Sequence, residues 1–236
     1  MDKYKVIAII GIIIMLLIIM VITSRTRIIK TYNKYMRKDN KLGITGNQLA
    51  FIAKQQLGLT DLKFSLTQRK LGDAYNYKYK TLIISEEVCN TASIASLTIV
   101  AHELGHAMQH EEKSPLFDIT VLTNSLTRLT GNLIIPLLII GAFFSLFKYP
   151  SEDFGPILMI IAGCLFLIQI LNKLLTIPLE YNASRRALRF LKENNYVTPG
   201  EHYRAKKLLS IAAQTYIASL FDNLLPIKRK RRRRKK

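Results

Sequence analysis

The sequence Ala101-His102-Glu103-Leu104-Gly105-His106-Ala107-Met108 carries two of the chain's four histidines in an H-E-x-x-H pattern. Read as helix, four residues advance about 6 Å and turn about 400°, so His102 and His106 stand one above the other on one face. Two neutral imidazoles at that separation can share one zinc ion, which takes roughly tetrahedral N, O or S donors. Glu103 lies about 100° round the helix, beside such an ion rather than on it. From there it can take a proton from water and pass it to a leaving amine. Thr91 or Ser93 can cap this helix, and the pattern carries it to Glu111.

Working outward, long uncharged runs flank the motif. Residues 6–24, 129–147 and 154–172 are each nineteen residues without a charge, enough to cross a bilayer core. The first is too long for a signal-peptide core, and no small-residue cleavage site follows it, so it reads as an uncleaved anchor. Seven Lys/Arg stand between Arg25 and Lys41, against only Lys3 and Lys5 before the anchor. The positive-inside bias then places the N-terminus outside and residue 25 onward in the cytoplasm. The connection holding Lys148, Glu152 and Asp153 suits the outer side, and the basic stretch after 172 returns the chain inside. Pro136 predicts a kink in the second run. Residues 208–221 are fourteen uncharged residues diluted by polar ones, short for a span, and read as a helix on the core or in the interface.

Between anchor and motif the chain reads as α+β. Thr45 and Gln48 can form a capping box for a helix through Gln56, which Gly58 ends. Leu62–Leu66 alternates like a strand, Tyr75–Lys80 like a turn, and Thr81–Ser85 is a second strand. That strand is a candidate sheet edge for an extended peptide substrate.

Charge and cysteines narrow the classes. Nine of the nineteen net positive charges come from Lys228–Lys236, which leaves a body near +10 beside apolar runs. That balance suits an anionic membrane surface, and the tail, without interleaved aromatics, suggests no specific nucleic acid. Cys89 and Cys164 are the only cysteines, which excludes a disulfide framework and a Cys-type zinc site.

A third zinc ligand must come from elsewhere. His110 continues the stripe but lies about 12 Å from His102 along the axis, beyond one ion's reach. Gln109 and Glu112 rule out the longer H-E-x-x-H-x-x-G-x-x-H pattern. Glu111 is too near on the same helix, and Glu152 falls on the opposite side of the membrane. Glu180, just after the third run, returns to the motif's side, with Asp118 and Asp222 as weaker alternatives.

The motif, the two runs after it, and Glu180-Tyr181-Asn182-Ala183-Ser184-Arg185-Arg186-Ala187 together resemble the neutral zinc membrane metallopeptidases of the YugP type. Gly43–Gly46, Lys80–Ser85 and Ala212–Tyr216 extend the likeness to about residues 40–225. A more distant likeness is to HtpX and the CAAX prenyl proteases, whose E-x-x-x-D motif supplies a zinc-binding Glu. That motif falls on Glu180, with Ser184 where the Asp would stand.

The resemblance implies a mainly α, membrane-embedded, zincin-like α+β fold: three transmembrane helices and a small strand-containing cytoplasmic catalytic unit. It divides as anchor 1–24, H-E-x-x-H unit 25–128, transmembrane hairpin 129–172, a helical part 173–227 with the third ligand, and a polybasic tail 228–236. The expected activity is that of a zinc metalloendopeptidase, with zinc on His102, His106 and Glu180, and Glu103 as catalytic base. Expected partners are a membrane-associated protein or peptide substrate, the bilayer, and anionic lipid at the tail. Tyr181, Arg185, His202 and Tyr203 are open candidates to stabilise an oxyanion. Two other readings are a membrane adaptor whose tail binds lipid or RNA, and an intramembrane protease of the site-2 type.

Overall fold

A first long helix, α1 (Lys3–Met36), runs unbroken across the expected anchor boundary at residue 24. The structure is a computed structural model that describes residues 3–219, with side chains chiefly from 22 to 215. The polybasic tail and Asp222 lie outside the described residues. After α1 come α2 (Gly46–Gln56), β1 (Lys63–Thr67), β2 (Ala74–Asn76), a 3-10 turn (Tyr77–Tyr79), β3 (Thr81–Ser85) and α3 (Glu86–Asn90). Then follow α4 (Ile94–Glu111), α5 (Pro115–Thr130), α6 (Ile134–Phe147), α7 (Phe154–Glu193) and α8 (Pro199–Ser219).

Local chemistry sets several boundaries. Thr45 Oγ1 accepts from the Gln48 N–H while Gln48 Oε1 accepts from the Thr45 N–H, so the capping box opens α2. Gly58, just past its end, has φ +65°, the left-handed region where glycine carries no Cβ penalty. Ser93 caps α4 through the Ser96 N–H at 3.0 Å.

The sheet corrects one expectation. Its order is β1-β3-β2, with β1 parallel and β2 antiparallel to β3. Thr81–Ser85 is therefore the central strand, paired on both sides. Its residues Leu82 and Ile84 are buried, as a central position requires. The edge near the H-E-x-x-H helix is β2, whose Tyr75 and Asn76 belong to the stretch that sequence alone reads as a turn.

The run 129–147 is not one helix. α5 ends at Thr130, α6 begins at Ile134, and the two meet at 47°. The bend precedes Pro136, which lies in the first turn of α6. A continuous helix would bond the N–H of residue 136 to the carbonyl of residue 132. Proline lacks that N–H and its ring clashes with that carbonyl, so the break just before it is the kink that Pro136 predicts. By length and composition α7 is a membrane-length apolar helix, and the bent pair α5–α6 together is a second candidate. At 40 residues, α7 extends about 60 Å. Its first half makes a hairpin with α6, and its second half crosses α4.

The core is built around α4. Leu97, Val100, Ala101, Leu104 and Ala107 are at most 1 % exposed, enclosed by residues of α1, α2, β3, α7 and α8. Gly105 permits the closest crossing. A Cβ there would lie 2.6 Å from the Ala183 carbonyl oxygen of α7, well inside van der Waals contact. The small residue in the middle of the motif thus lets α4 and α7 meet backbone to backbone.

Candidate metal centre

That crossing brings Glu180 to the histidine pair. His102 Nε2 lies 3.1 Å from Glu180 Oε2, and His106 Nε2 lies 3.6 Å from the same oxygen. The two imidazoles stand edge to face, centroids 4.9 Å apart, as one turn of helix dictates. All three donor atoms fall within 4.8 Å of one another. Donors about 2.0–2.1 Å from one tetrahedral ion are about 3.3 Å apart, so these spacings and this N,N,O donor set fit zinc. The side chains of both histidines are 13 % exposed and that of Glu180 is 9 % exposed. A way in for water and substrate therefore remains.

The outer ring nitrogens are also engaged. His106 Nδ1 lies 3.0 Å from Gln109 Oε1. Gln109, fully buried, donates from Nε2 to the Leu179 carbonyl at 3.0 Å and to Asn182 Oδ1 at 2.9 Å. Asn182 Oδ1 also accepts from Arg186 Nε, and Arg186 pairs with Glu112. One hydrogen-bonded chain thus ties the His106 ring to both sides of Glu180. His102 Nδ1 lies 3.3 Å from Ser184 Oγ, so the outer nitrogen of this ring has a hydroxyl partner on α7. Such partners fix tautomer and ring orientation. Gln109 and Asn182 escaped sequence reading because their partners lie about seventy residues away on another helix.

Glu103 stands beside the three donors without joining them, close enough for its carboxyl to feel the charges of His102, His106 and Glu180. Its Oε2 accepts the backbone N–H of Tyr75, on β2, at 2.9 Å. Burial pushes its carboxyl above the usual range, the charges of Glu180 and Asp73 add to this, and the two histidines oppose it. A raised carboxyl is closer to the operating pH of a general base. For His106, burial disfavours a proton, but Glu180 and Glu103 outweigh it and lift the imidazole from 6.5 to about 9. The two carboxylates that favour a proton on His106 would favour a divalent cation in its place.

The other candidates fall elsewhere. His110 meets the Tyr75 hydroxyl at 2.8 Å and stacks on Phe117. Asp118 sits in the first turn of α5, outside the cluster. Tyr181 and Tyr203 are 49 % and 66 % exposed.

A family model described as "Putative neutral zinc metallopeptidase" matches residues 8–230. The chain belongs to this family. A curated relative, "Putative membrane protease YugP" of Bacillus subtilis (strain 168), is 27 % identical over 209 residues, which cover 87 % of this chain and 88 % of the relative. No solved structure matches the chain. Family and donor cluster together make the protein a membrane-associated zinc metalloendopeptidase, which sets aside the adaptor reading. These matches are to the neutral zinc metallopeptidases and do not extend to HtpX or the CAAX prenyl proteases.

Proposed function

We propose that His102, His106 and Glu180 hold the zinc and that Glu103 moves the proton in hydrolysis of a peptide bond. The observation that carries this is the convergence of the three donors at 3.1 and 3.6 Å with Glu103 alongside. Zinc bound there would acidify a water molecule and polarise the scissile carbonyl. Glu103 takes the water proton and returns it to the departing amine. The Gln109 and Ser184 contacts keep both imidazoles turned toward Glu180.

The substrate lies along β2. β2 is an edge strand and the Tyr75 N–H on its outer side is bonded to Glu103, so an extended peptide added along this strand would run beside the catalytic carboxylate. Next to Glu103 and His102 is a cavity of about 250 Å³. Its walls, from Ile28, Ile99, Leu208, Leu209 and Ala212, are apolar and suit a large apolar substrate side chain.

The protein is multi-pass. Residues 6–24, 129–147 and 154–172 cross the bilayer, with the N-terminus outside and the site at the cytoplasmic face. The support is the concentration of Lys/Arg between Arg25 and Lys41, against a 148–153 connection in which the one Lys148 is outweighed by Glu152 and Asp153. On that topology the substrate is a loop or tail of a membrane-associated protein. The tail 228–236 would then face anionic lipid of the cytoplasmic leaflet.

Glu103→Gln tests the mechanism. It should keep zinc yet lower cleavage of a quenched-fluorescence peptide library by about 10²–10⁴-fold, the usual worth of a positioned acid–base group. Full-rate cleavage by the Gln variant would remove Glu103 from the role.

A further inference from the structure

A second cavity, of about 610 Å³, opens between α5 and α7, and none of the zinc donors lines it. We propose that it binds the phosphate headgroup of an anionic phospholipid, held between Arg128 and Lys173. This rests on the reading of 129–147 and 154–172 as membrane segments, and not on the peptidase chemistry.

Three features of the cavity converge. The first is its level. Arg128 is the last charge before the run 129–147, and Lys173 is the first after 154–172. Two helices that cross together therefore bring these cations to the same face of the bilayer, at headgroup depth. The second is its charge. Among the described residues, the lining includes both cations and no carboxylate. The third is its polarity gradient. Around the cations stand the amides of Asn132 and Gln169, while Ile134, Ile135 and Phe166 line the side toward the bilayer interior. Polar anion first and acyl chain beyond is the order in which a phospholipid presents itself. Basic pockets between transmembrane helices on the cytoplasmic side commonly take such headgroups.

The rear wall is a fixed scaffold. Asn172, 4 % exposed, accepts from Thr123 Oγ1 at 2.6 Å and donates to Asn124 Oδ1 at 2.9 Å and Thr127 Oγ1 at 3.3 Å. These bonds hold α5 to α7 and leave the cavity in front of them. Gly131, at the bend, keeps it open. A Cβ there would lie 2.9 Å from Gln169 Nε2 and push that amide aside. Lys173 stands seven residues before Glu180 on α7, about 10 Å along the helix. A lipid clamped between α5 and α7 would thus steady the helix that carries the third zinc donor.

The test uses the full-length protein in detergent, read by thermal unfolding and by native mass spectrometry. Added phosphatidylglycerol should raise the melting temperature and leave one lipid retained per chain. Phosphatidylcholine should do neither. Arg128→Gln with Lys173→Gln should lose both effects, while Arg128→Lys with Lys173→Arg should keep them. Lys206→Gln with Lys207→Gln, an equal charge change on exposed positions of α8, should behave as wild type. The proposal is overturned if phosphatidylcholine works as well, or if the Arg128/Lys173 glutamine variant keeps the retained lipid. It is equally overturned if the α8 variant loses it to the same extent, or if inorganic phosphate alone reproduces the whole shift.

Discussion

The two halves of α7 share one continuous helix and obey opposite packing rules. Between 157 and 171 its large apolar side chains face outward: Ile160 is 66 % exposed, Leu167 58 % and Leu171 59 %. Between 183 and 191 the pattern inverts, and Ala183, Ala187 and Leu191 are all 0 % exposed against α4 and its neighbours. On the proposed topology lipid would substitute for protein in the first half, so large side chains need no protein partner there. In the second half small residues let backbones close, and the polar side chains on that face are paired. Catalytic geometry is possible only where the helix is gripped, and Glu180 sits where the gripped half begins.

The difference can be broken from either side. Leu191→Ala, in the gripped half, should cost about 2–5 kcal/mol of stability, read as a fall in the thermal unfolding midpoint in detergent. A cost near zero would mean that this half is not packed as described. Gln109→Ala should weaken zinc about 10–100-fold while the protein stays folded, as removal of a ligand's orienting partner usually does. Competition with a chelating dye measures this. An unchanged affinity would mean that the chain from His106 to Asn182 does not orient the site. Leu167→Ala, in the lipid-facing half, should alter stability in detergent by no more than about 0.5 kcal/mol, and a loss comparable to that of Leu191→Ala would erase the contrast.

Acid should act on the gripped half as well. In the metal-free protein His106 keeps its proton up to about pH 9, so a divalent ion must displace it. Zinc affinity should climb with pH, by up to about tenfold per unit for this one proton, and level off near pH 9. The linkage to stability runs the other way. A raised imidazole stabilises the metal-free fold fully below its unfolded value of about 6.5, and that stabilisation is lost as the pH rises through about 9. Titrations of zinc and of melting temperature across this range should therefore slope in opposite directions.

Much of the site was legible because its information is local. The H-E-x-x-H spacing, the Ser93 cap, the Thr45–Gln48 box and the end of α4 at Glu111 each depend on residues within four positions of one another. Glu180 was legible by a different route, since charge bias and span counting bring it to the motif's side. What the sequence hid depends on distant partners. The edge position of β2 is set by which neighbour β3 accepts on each side, and three residues carry too little pattern to reveal it. The bend at 131–133, by contrast, is announced by Pro136, which cannot continue a helix from the turn before it. Gln109 and Ser184 look like departures from longer motifs, yet their side chains are the ones that touch the imidazoles.

The central claim is that α7 returns from the membrane segment to deliver the third zinc donor. Its most direct test is the zinc content of the full-length protein purified in detergent, wild type beside Glu180→Ala. About one zinc per wild-type chain, lost or weakened by orders of magnitude in the variant, is the predicted result. Equal, tight zinc in both would contradict it and move the third donor to another carboxylate, Asp118 or Asp222 first.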